Sequence, residues 1–236
     1  MQQFVSSAGS VLTQVALASA IIAGGLSVVS RAEAQVLGAP GAVAIGVENI
    51  TGYDAITRKY DNQVNAEVTD STTQFSFLLK SGARVGVHYF LIPNVSLGGS
   101  LGYESVGGSL KWPDGGGNYS EDKQTDSRFL LHLKAGYLLA LSNSAGFWFR
   151  AGPGVNRSSI HPNVRVAAVA KETFWTVGLD VLFVYAPVPV VGFFAGPTGD
   201  ISFVGRHTEE NNAPNDYSHS ASYRRLGLDL GIMAMF

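Results

Sequence analysis

The sequence contains no cysteine, and this absence excludes disulfide frameworks, thiolate metal sites and cysteine nucleophiles. Charged residues are scarce as well, at 14% of the chain against about 25% in an average domain. Sixteen lysines and arginines stand against eighteen acids, so no basic excess is present to hold a nucleic acid, and we expect no nucleic-acid partner. After residue 35, no uncharged apolar run reaches the ~18 residues that a membrane-spanning helix needs.

Glycine and aromatic residues are abundant instead. The chain has 28 glycines in 236 residues, well above the usual ~7%, and aromatic residues make up 11%. With 46% apolar residues, the chain is not of the disordered class. This composition favours a β protein of one domain.

The N-terminal segment has the pattern of an export signal. Residues 11–30 are uncharged and mostly apolar, and they are followed by Ala32-Glu33-Ala34, a small-x-small cleavage site. We therefore predict a signal peptide over residues 1–34, cleaved near Ala34, and a mature domain over residues 35–236. The first ten residues contain no lysine or arginine, which departs from the pattern and keeps an uncleaved anchor as the alternative.

The mature chain repeatedly alternates apolar and polar residues, as amphipathic strands do. At the C-terminus, Leu226, Leu228 and Leu230 lie on one face, and Arg225 and Asp229 lie on the other. The same pattern predicts eight strands, near residues 42–53, 74–90, 94–106, 127–140, 146–158, 172–186, 190–205 and 222–236. Their connections alternate between short (91–93, 142–145, 187–189) and long (54–73, 107–126, 159–171, 206–221). This layout predicts an all-β fold, an eight-stranded antiparallel up-and-down transmembrane β-barrel with short periplasmic turns and long extracellular loops.

Aromatic residues mark both ends of several predicted strands on the apolar face. Trp175 and Tyr185 are ten residues apart, as are Phe193 and Phe203. Ten tilted strand residues rise roughly 23 Å, close to the ~25 Å apolar band of outer-membrane barrels. A soluble lipocalin-like barrel, the alternative, would be apolar inside and polar outside. The chain is therefore expected in the bacterial outer membrane with its lipids as partners.

Several segments resemble a known class. The chain ends in Phe236 after apolar residues at every second position, which resembles the signal read by the barrel-assembly machinery. Residues 83–103 resemble the strand–turn–strand hairpin of small Gram-negative outer-membrane proteins, and residues 149–154 and 193–198 repeat an aromatic-x-Ala-Gly-Pro style. The resemblance points to the eight-stranded opacity-type and OmpA-type membrane barrels. It implies that Phe236 is an assembly signal, that the assembly machinery is a partner, and that the barrel is a monomer.

Charged residues fall on the predicted inward face in nearly equal numbers of each sign. An eight-stranded barrel encloses only enough width for side chains, so we expect these charges to pair and fill the interior. The predicted network consists of Glu48, Lys80, Arg84, Glu104, Arg128, Lys134, Arg150, Asp180, Asp200, Arg225 and Asp229.

No residue pattern predicts an active site, a metal site or a cofactor. No histidine is followed two residues later by a serine on the same strand face, which a barrel lipid hydrolase of the Ser–His type would need. His88 and His132 lie on the polar face, near Glu104, without metal-ligand spacing. We expect a non-enzymatic barrel with a structural role or a surface-interaction role, in which the loops contact an unidentified extracellular ligand. The alternative is a narrow pore, or a carrier for small solutes or apolar molecules.

Overall fold

The chain folds into one antiparallel sheet. The computed structural model describes residues 37–61, 67–76, 83–113, 119–162, 169–210 and 217–236, and these form a sheet of nine strands. The strands are β1 (Val43–Asp61), β2 (Glu67–Ser76), β3 (Arg84–Ile92), β4 (Val95–Pro113), β5 (Tyr119–Ala140), β6 (Ala145–Pro162), β7 (Val169–Val188), β8 (Val191–Glu210) and β9 (Tyr217–Met235). The predicted all-β, antiparallel, up-and-down architecture is confirmed. None of the described segments contains a helix long and apolar enough to cross a membrane.

The sheet closes on itself because the last strand, β9, pairs with the first, β1. On its other edge, β1 pairs with both β2 and β3: residues 52–61 face 67–76, and residues 43–48 face 84–89. Together β2 and β3 therefore occupy one position in the sheet, that of the predicted strand 74–90. Residues 77–82, between them, lie outside the described residues. Closure leaves eight strand positions around the sheet.

Most strands extend further than the sequence predicts. The pairing of β4 with β5 continues to Pro113 and Tyr119, and that of β8 with β9 continues to Glu209 and Tyr217. The predicted long loops 54–73, 107–126, 159–171 and 206–221 are therefore wrong over much of their length, where the chain is strand. Alternation requires one apolar and one polar face, so a strand with two polar faces keeps its hydrogen bonds but loses the pattern.

The two faces of the sheet are chemically inverted relative to a soluble protein. Along β7, Thr176, Gly178 and Asp180 are buried, whereas Val177 and Leu179 are 53% and 57% exposed. The same holds on the other strands, where exposed apolar side chains include Leu97, Leu101, Leu133, Ile201, Leu226 and Leu228. An apolar exterior around a polar interior is the arrangement of a barrel in lipid, and it excludes the lipocalin-like alternative.

A bulge in β1 determines which of its side chains point inward. Val47 faces Ile232 on β9, but Thr51 faces Leu230, so β1 has two extra residues here. Asn49, at the centre, has a positive φ of 55°. Because the shift is two residues and the side-chain period is two, even-numbered residues face inward on both sides of the bulge.

We predict that Leu179→Arg lowers the free energy of unfolding by about 2–4 kcal/mol, because it places a charge on the lipid face near mid-strand. Urea unfolding of the protein folded in phospholipid vesicles measures the change. Leu179→Ala is the control, since it removes the side chain without adding charge and should cost less. A stable Leu179→Arg variant would contradict the assignment of this face to lipid.

Candidate functional site

The interior contains a layer of buried charges, which we call the charged layer. Inward-facing positions of seven strands (β1, β3 and β5–β9) contribute to it. Its members are Glu48, Asp54, Arg84, Lys134, Arg150, Asp180, Asp200, Arg225 and Asp229, all buried. Four cations face five anions, so the layer is close to neutral.

One half of the charged layer is organised around Asp180. Lys134 Nζ donates to both carboxylate oxygens of Asp180, at 2.9 and 2.7 Å. Arg150 Nε donates to the same carboxylate at 3.0 Å, and Arg150 NH1 donates to Glu48 Oε1. Arg150 thus joins two carboxylates through its planar guanidinium, which a lysine could not do.

The other half is organised around Arg225. Its Nε donates to Asp54 at 2.8 Å, its NH1 to Asp200 at 3.1 Å and its NH2 to Asp229 at 2.9 Å. Arg84 NH2 donates to the second oxygen of Asp229 at 2.7 Å. Because Arg84 Nε also lies 3.5 Å from Glu48 Oε2, the two halves form one continuous network.

Two histidines extend this network. Arg84 NH1 lies 3.3 Å from His132 Nδ1, and His132 Nε2 lies 3.4 Å from Asp200 Oδ1. Arg150 NH1 lies 3.2 Å from His88 Nε2. A ring nitrogen beside a guanidinium must act as the acceptor, so each imidazole satisfies one more arginine N–H group.

Glycines opposite the large side chains make room for this layer. A Cβ atom on Gly178 would lie 2.7 Å from Asp200 Oδ1 and 3.3 Å from Lys134 Cε. A Cβ on Gly154 would overlap the His132 ring. A larger residue at either position would displace a charged or hydrogen-bonding group from its partner.

An apolar layer closes the interior toward the short connections. Trp148 stacks on Phe90 with a centroid separation of 5.8 Å, and its Nε1 donates to Ser96 Oγ at 3.1 Å. The Arg150 guanidinium carbon lies 4.8 Å from the centre of the Trp148 ring, so the apolar layer directly contacts the charged layer. The layer is formed by Leu37, Ala42, Ala44, Phe90, Leu138, Trp148, Leu182, Val184, Ala186, Phe194, Met233 and Met235.

The segment before β1 contributes to the same closure. Leu37 is buried in the apolar layer, Asn94 N donates to Gly38 O at 2.9 Å, and Gly41 N donates to Phe90 O at 2.8 Å. Gly38 requires its flexibility, because its φ is +81°. Residues 37–42 therefore lie across the end of the interior that carries the short connections.

A smaller aromatic layer lies on the other side of the charged layer. Phe174 stacks on Tyr223 with a centroid separation of 5.2 Å, and Ile56 packs beside them. Arg128 donates to the Tyr223 hydroxyl at 2.9 Å and to Asn156 Oδ1 at 3.2 Å. A small cavity beside the charged layer is lined by Asn49, Asp54, Arg84, Arg128, Leu130, Asp200 and Arg225.

Two of the eleven predicted network residues lie elsewhere. Glu104 and Arg128 are cross-strand partners toward the long connections, half-buried, and in the described part of the chain Arg128 contacts Asn156 and Tyr223 rather than a carboxylate. Lys80 lies outside the described residues. Eight others are in the charged layer: Glu48, Arg84, Lys134, Arg150, Asp180, Asp200, Arg225 and Asp229.

Sequence reasoning missed Asp54, which was placed in the first long loop. Asp54 is buried and accepts a hydrogen bond from Arg225. It has the same even parity as Glu48, and following that parity past the point where the alternation fades would have identified it.

A separate polar cluster, the upper cluster, lies beyond the aromatic layer. Glu172 accepts a hydrogen bond from Ser158 Oγ at 3.0 Å, and its other oxygen lies 3.3 Å from His207 Nδ1. Arg58 Nε is 3.6 Å from Glu172, and His207 Nε2 is 3.5 Å from Glu209. The sequence analysis missed this cluster because it places Arg58, His207 and Glu209 in loops, although Ser158 and Glu172 lie at the ends of predicted strands.

The upper cluster lies outside the membrane-spanning band. Along their strands, Glu172 and His207 lie three and four residues beyond Trp175 and Phe203, on the side of the long connections. The hydrogen bond to Glu172 raises the pKa of His207 above its usual value, against the opposing effect of burial. Burial alone would raise the pKa of Glu172, but the hydrogen bond with His207 and the charge of Arg58 lower it. The pair is therefore an ion pair over a wide range of pH.

The geometry of the upper cluster does not provide a nucleophile and a base. The Glu172 carboxylate lies between Ser158 and His207, so it is the carboxylate, not the imidazole, that accepts the serine hydroxyl. A serine nucleophile needs its hydroxyl on the imidazole. Within the described residues, no group of three or more histidine, aspartate or glutamate side chains could hold a metal ion.

We predict that the Glu172–His207 pair stabilises the fold most between about pH 4.5 and pH 6.5, the usual pKa values of the two groups. The histidine contribution is complete below its usual pKa and is lost as the pH rises through its raised pKa. The glutamate contribution is present above its usual pKa and is lost as the pH falls through its lowered pKa.

An NMR titration of the His207 ring measures this pairing directly, and Glu172→Gln should bring the midpoint down. The urea midpoint of the wild-type protein should fall as the pH is raised through that titration, whereas His207→Gln should lack this fall. An unshifted His207 midpoint in the wild-type protein is the result that speaks against the pair.

Comparison with known proteins identifies the fold. No protein-family model matches the sequence, and no curated protein sequence matches it. Among solved structures, the outer membrane protein OprG of Pseudomonas aeruginosa aligns with a TM-score of 0.53 and 12% identity, over 86% of this chain and 99% of OprG.

Two further solved structures align less well. The outer membrane protease OmpT of Escherichia coli gives a TM-score of 0.47 and 11% identity, over 84% of this chain and 97% of OmpT. Ail, the attachment invasion locus protein of Yersinia pestis, gives 0.40 and 11%, over 84% of this chain and 99% of Ail. At such identities the likeness, which rests on OprG, concerns the fold alone. At that level it confirms the predicted outer-membrane class, and the chain has the fold of the Gram-negative outer-membrane β-barrel proteins.

Proposed function

We propose that this chain is a non-enzymatic outer-membrane β-barrel whose interior is filled by paired charges and whose exposed end has a structural or surface-interaction role. Residues 1–34 are a signal peptide removed near Ala34 on export, and residues 35–236 form a monomeric membrane domain. Its eight strand positions cross the lipid, with the short connections in the periplasm and the long connections outside. Phe236 is the contact for the assembly machinery.

The observation that carries this proposal is the continuous network of the charged layer. Ion pairs of Arg225, Arg84, Arg150 and Lys134 with their carboxylates connect side chains from seven strands, and the apolar and aromatic layers lie on either side. An eight-stranded barrel is just wide enough for side chains to fill. A charge that is buried and paired in this way holds strands together rather than conducting ions, because separating the pair leaves an uncompensated buried charge.

The absence of catalysis is proposed from the site and not from the fold. OmpT is a protease on a similar fold, and a fold does not decide a function. In the upper cluster, the arrangement of Ser158, Glu172 and His207 favours a structural role, since the serine hydroxyl is bound to the carboxylate.

The exposed end is proposed as the interacting part of the molecule. The strands continue beyond the exposed aromatic residues Trp175 and Phe203, to Val169 and Glu210, and so extend past the proposed lipid surface. An unidentified extracellular ligand would contact this end. A narrow pore, or a carrier of small solutes or apolar molecules, is the competing function. It would require the apolar layer around Trp148 and the Phe174–Tyr223 stack to open.

We expect the protein in planar lipid bilayers to show no large, steady conductance, because three layers of side chains obstruct the interior. Current recordings with the purified, folded full chain test this. Sustained single-channel current from the wild-type protein would reject the filled barrel in favour of the pore.

We predict that Arg225→Ala destabilises the barrel by about 3–5 kcal/mol, because it leaves three buried carboxylates without their shared cation. The matched control is Arg224→Ala, the next residue along β9, whose exposed side chain is on the opposite face. Loss of that exposed charge should change stability by no more than about 0.5 kcal/mol. Urea unfolding in vesicles compares the two variants, and equal stabilities would contradict a structural role for the network.

A further inference from the structure

The outward face carries charge of one sign at the end with the long connections. Among the side chains that the structure describes there, the charged residues pointing outward are all cations. They are Lys59, Arg157, Lys171, Arg206 and Arg224. Among the described acids at this level, Glu172 and Glu209 point inward and contact His207. The outward charges that the structure describes just beyond the apolar band are therefore positive.

Three of these cations surround Thr173 on neighbouring strands. Thr173 on β7 faces Arg157 on β6 and Arg206 on β8, one on each side. With strands ~4.8 Å apart, the two arginine Cα atoms lie about 10 Å from each other. Lys171 is the next outward position along β7, roughly 7 Å beyond Thr173. The long side chains of all three can reach the space over the Thr173 hydroxyl.

The two arginines are available for a ligand. Both are exposed, and no carboxylate of the described residues forms an ion pair with either of them. Arg206 Nε donates to Ser218 Oγ at 2.6 Å. That bond orients the guanidinium, while its terminal N–H groups remain open to an acceptor from outside the chain.

The position of the cluster indicates the chemistry of its ligand. Trp175, 51% exposed, lies two residues from Thr173 on the same face, and Phe129 is the cross-strand partner of Arg157. Exposed aromatic residues mark the boundary between the acyl chains and the headgroups. The cluster thus lies at the headgroup level. The opposite end differs, since the connections at residues 91–94, 141–144 and 187–190 contain no charged residue.

We propose that Arg157, Arg206, Lys171 and the Thr173 hydroxyl bind a phosphate group of a glycolipid headgroup in the outer leaflet. Arginine forks and a hydroxyl donor match phosphate oxygens, and such charge-assisted bonds are the strong ones. The site rests on the orientation proposed above, with the long connections outside. It makes the barrel wall a specific lipid contact.

Native mass spectrometry of the detergent-solubilised full chain, titrated with bisphosphorylated lipid A, tests the site. Arg157→Ala and Arg206→Ala should each weaken binding about tenfold, the effect of losing a charge-assisted hydrogen bond. The matched control is Arg224→Ala, which removes an equal outward charge away from Thr173 and should weaken binding less than about twofold, as screened surface charges do. Equal losses in all three variants would reduce the effect to general electrostatics and overturn the site.

Two further probes identify the ligand. Dephosphorylated lipid A should bind the wild-type protein as weakly as bisphosphorylated lipid A binds Arg157→Ala, and undiminished binding would overturn the role of phosphate. Inorganic phosphate should not displace the lipid, and displacement at equal concentration would show that the site takes the free ion instead.

The lipid-binding measurement can fail independently of the conductance measurement that tests the filled barrel. Arg157 and Arg206 point away from the interior, so their variants should match the wild-type protein in gel mobility before and after boiling and in bilayer conductance. A conducting wild-type barrel would reject the proposed function and leave the lipid measurement interpretable. If the wild-type protein does not conduct but binds lipid A equally well with and without its phosphates, the lipid site alone is rejected.

Discussion

The charges inside this sheet must compensate one another, and the rest of the structure follows from that constraint. Nine buried ionised side chains would each cost several kcal/mol if left alone in an interior that excludes bulk water. Arg225, Arg84 and Arg150 lower this cost by each serving more than one carboxylate. Glycines such as Gly178 stand where these side chains need space, and the apolar layer around Trp148 keeps water from one side. The apolar side chains lie on the exterior, so the exterior is suited to contact with lipid.

The alternation of apolar and polar residues predicted the strands correctly where one face meets lipid and the other meets the polar interior. It placed β7 correctly from Trp175 to Tyr185, where exposed apolar residues alternate with buried ones, and the buried ones up to Asp180 are polar or glycine. It failed toward the long connections, because the backbone pairing of β4 with β5 persists to Pro113 and Tyr119 without any contrast between faces. Backbone hydrogen bonds between strands do not depend on the polarity of the side chains. The sequence pattern therefore shows where a strand is amphipathic, but it does not show where the strand ends.

The interior was predictable in membership but not in pairing. Parity alone placed Arg150, Asp180 and Arg225 inside, yet nothing in the sequence says that Arg225 would bond Asp54, 171 residues away. Such a contact depends on the closure of β1 against β9 and on a bulge that shifts the register by two residues. Arg128 shows the converse, since it has the correct parity but lies above the charged layer, where it donates to the Tyr223 hydroxyl.

The last strand, β9, completes both the sheet and the charge pairs of the interior. Arg225 and Asp229 are both on this last strand, and they are the partners of Asp54, Asp200 and Arg84, which earlier strands bring. A sheet lacking β9 would have two open edges, and it would leave Asp54 without its arginine and Asp200 and Arg84 with fewer partners. Closing the sheet and completing the charge pairs therefore require the same strand, so we expect the barrel to fold cooperatively.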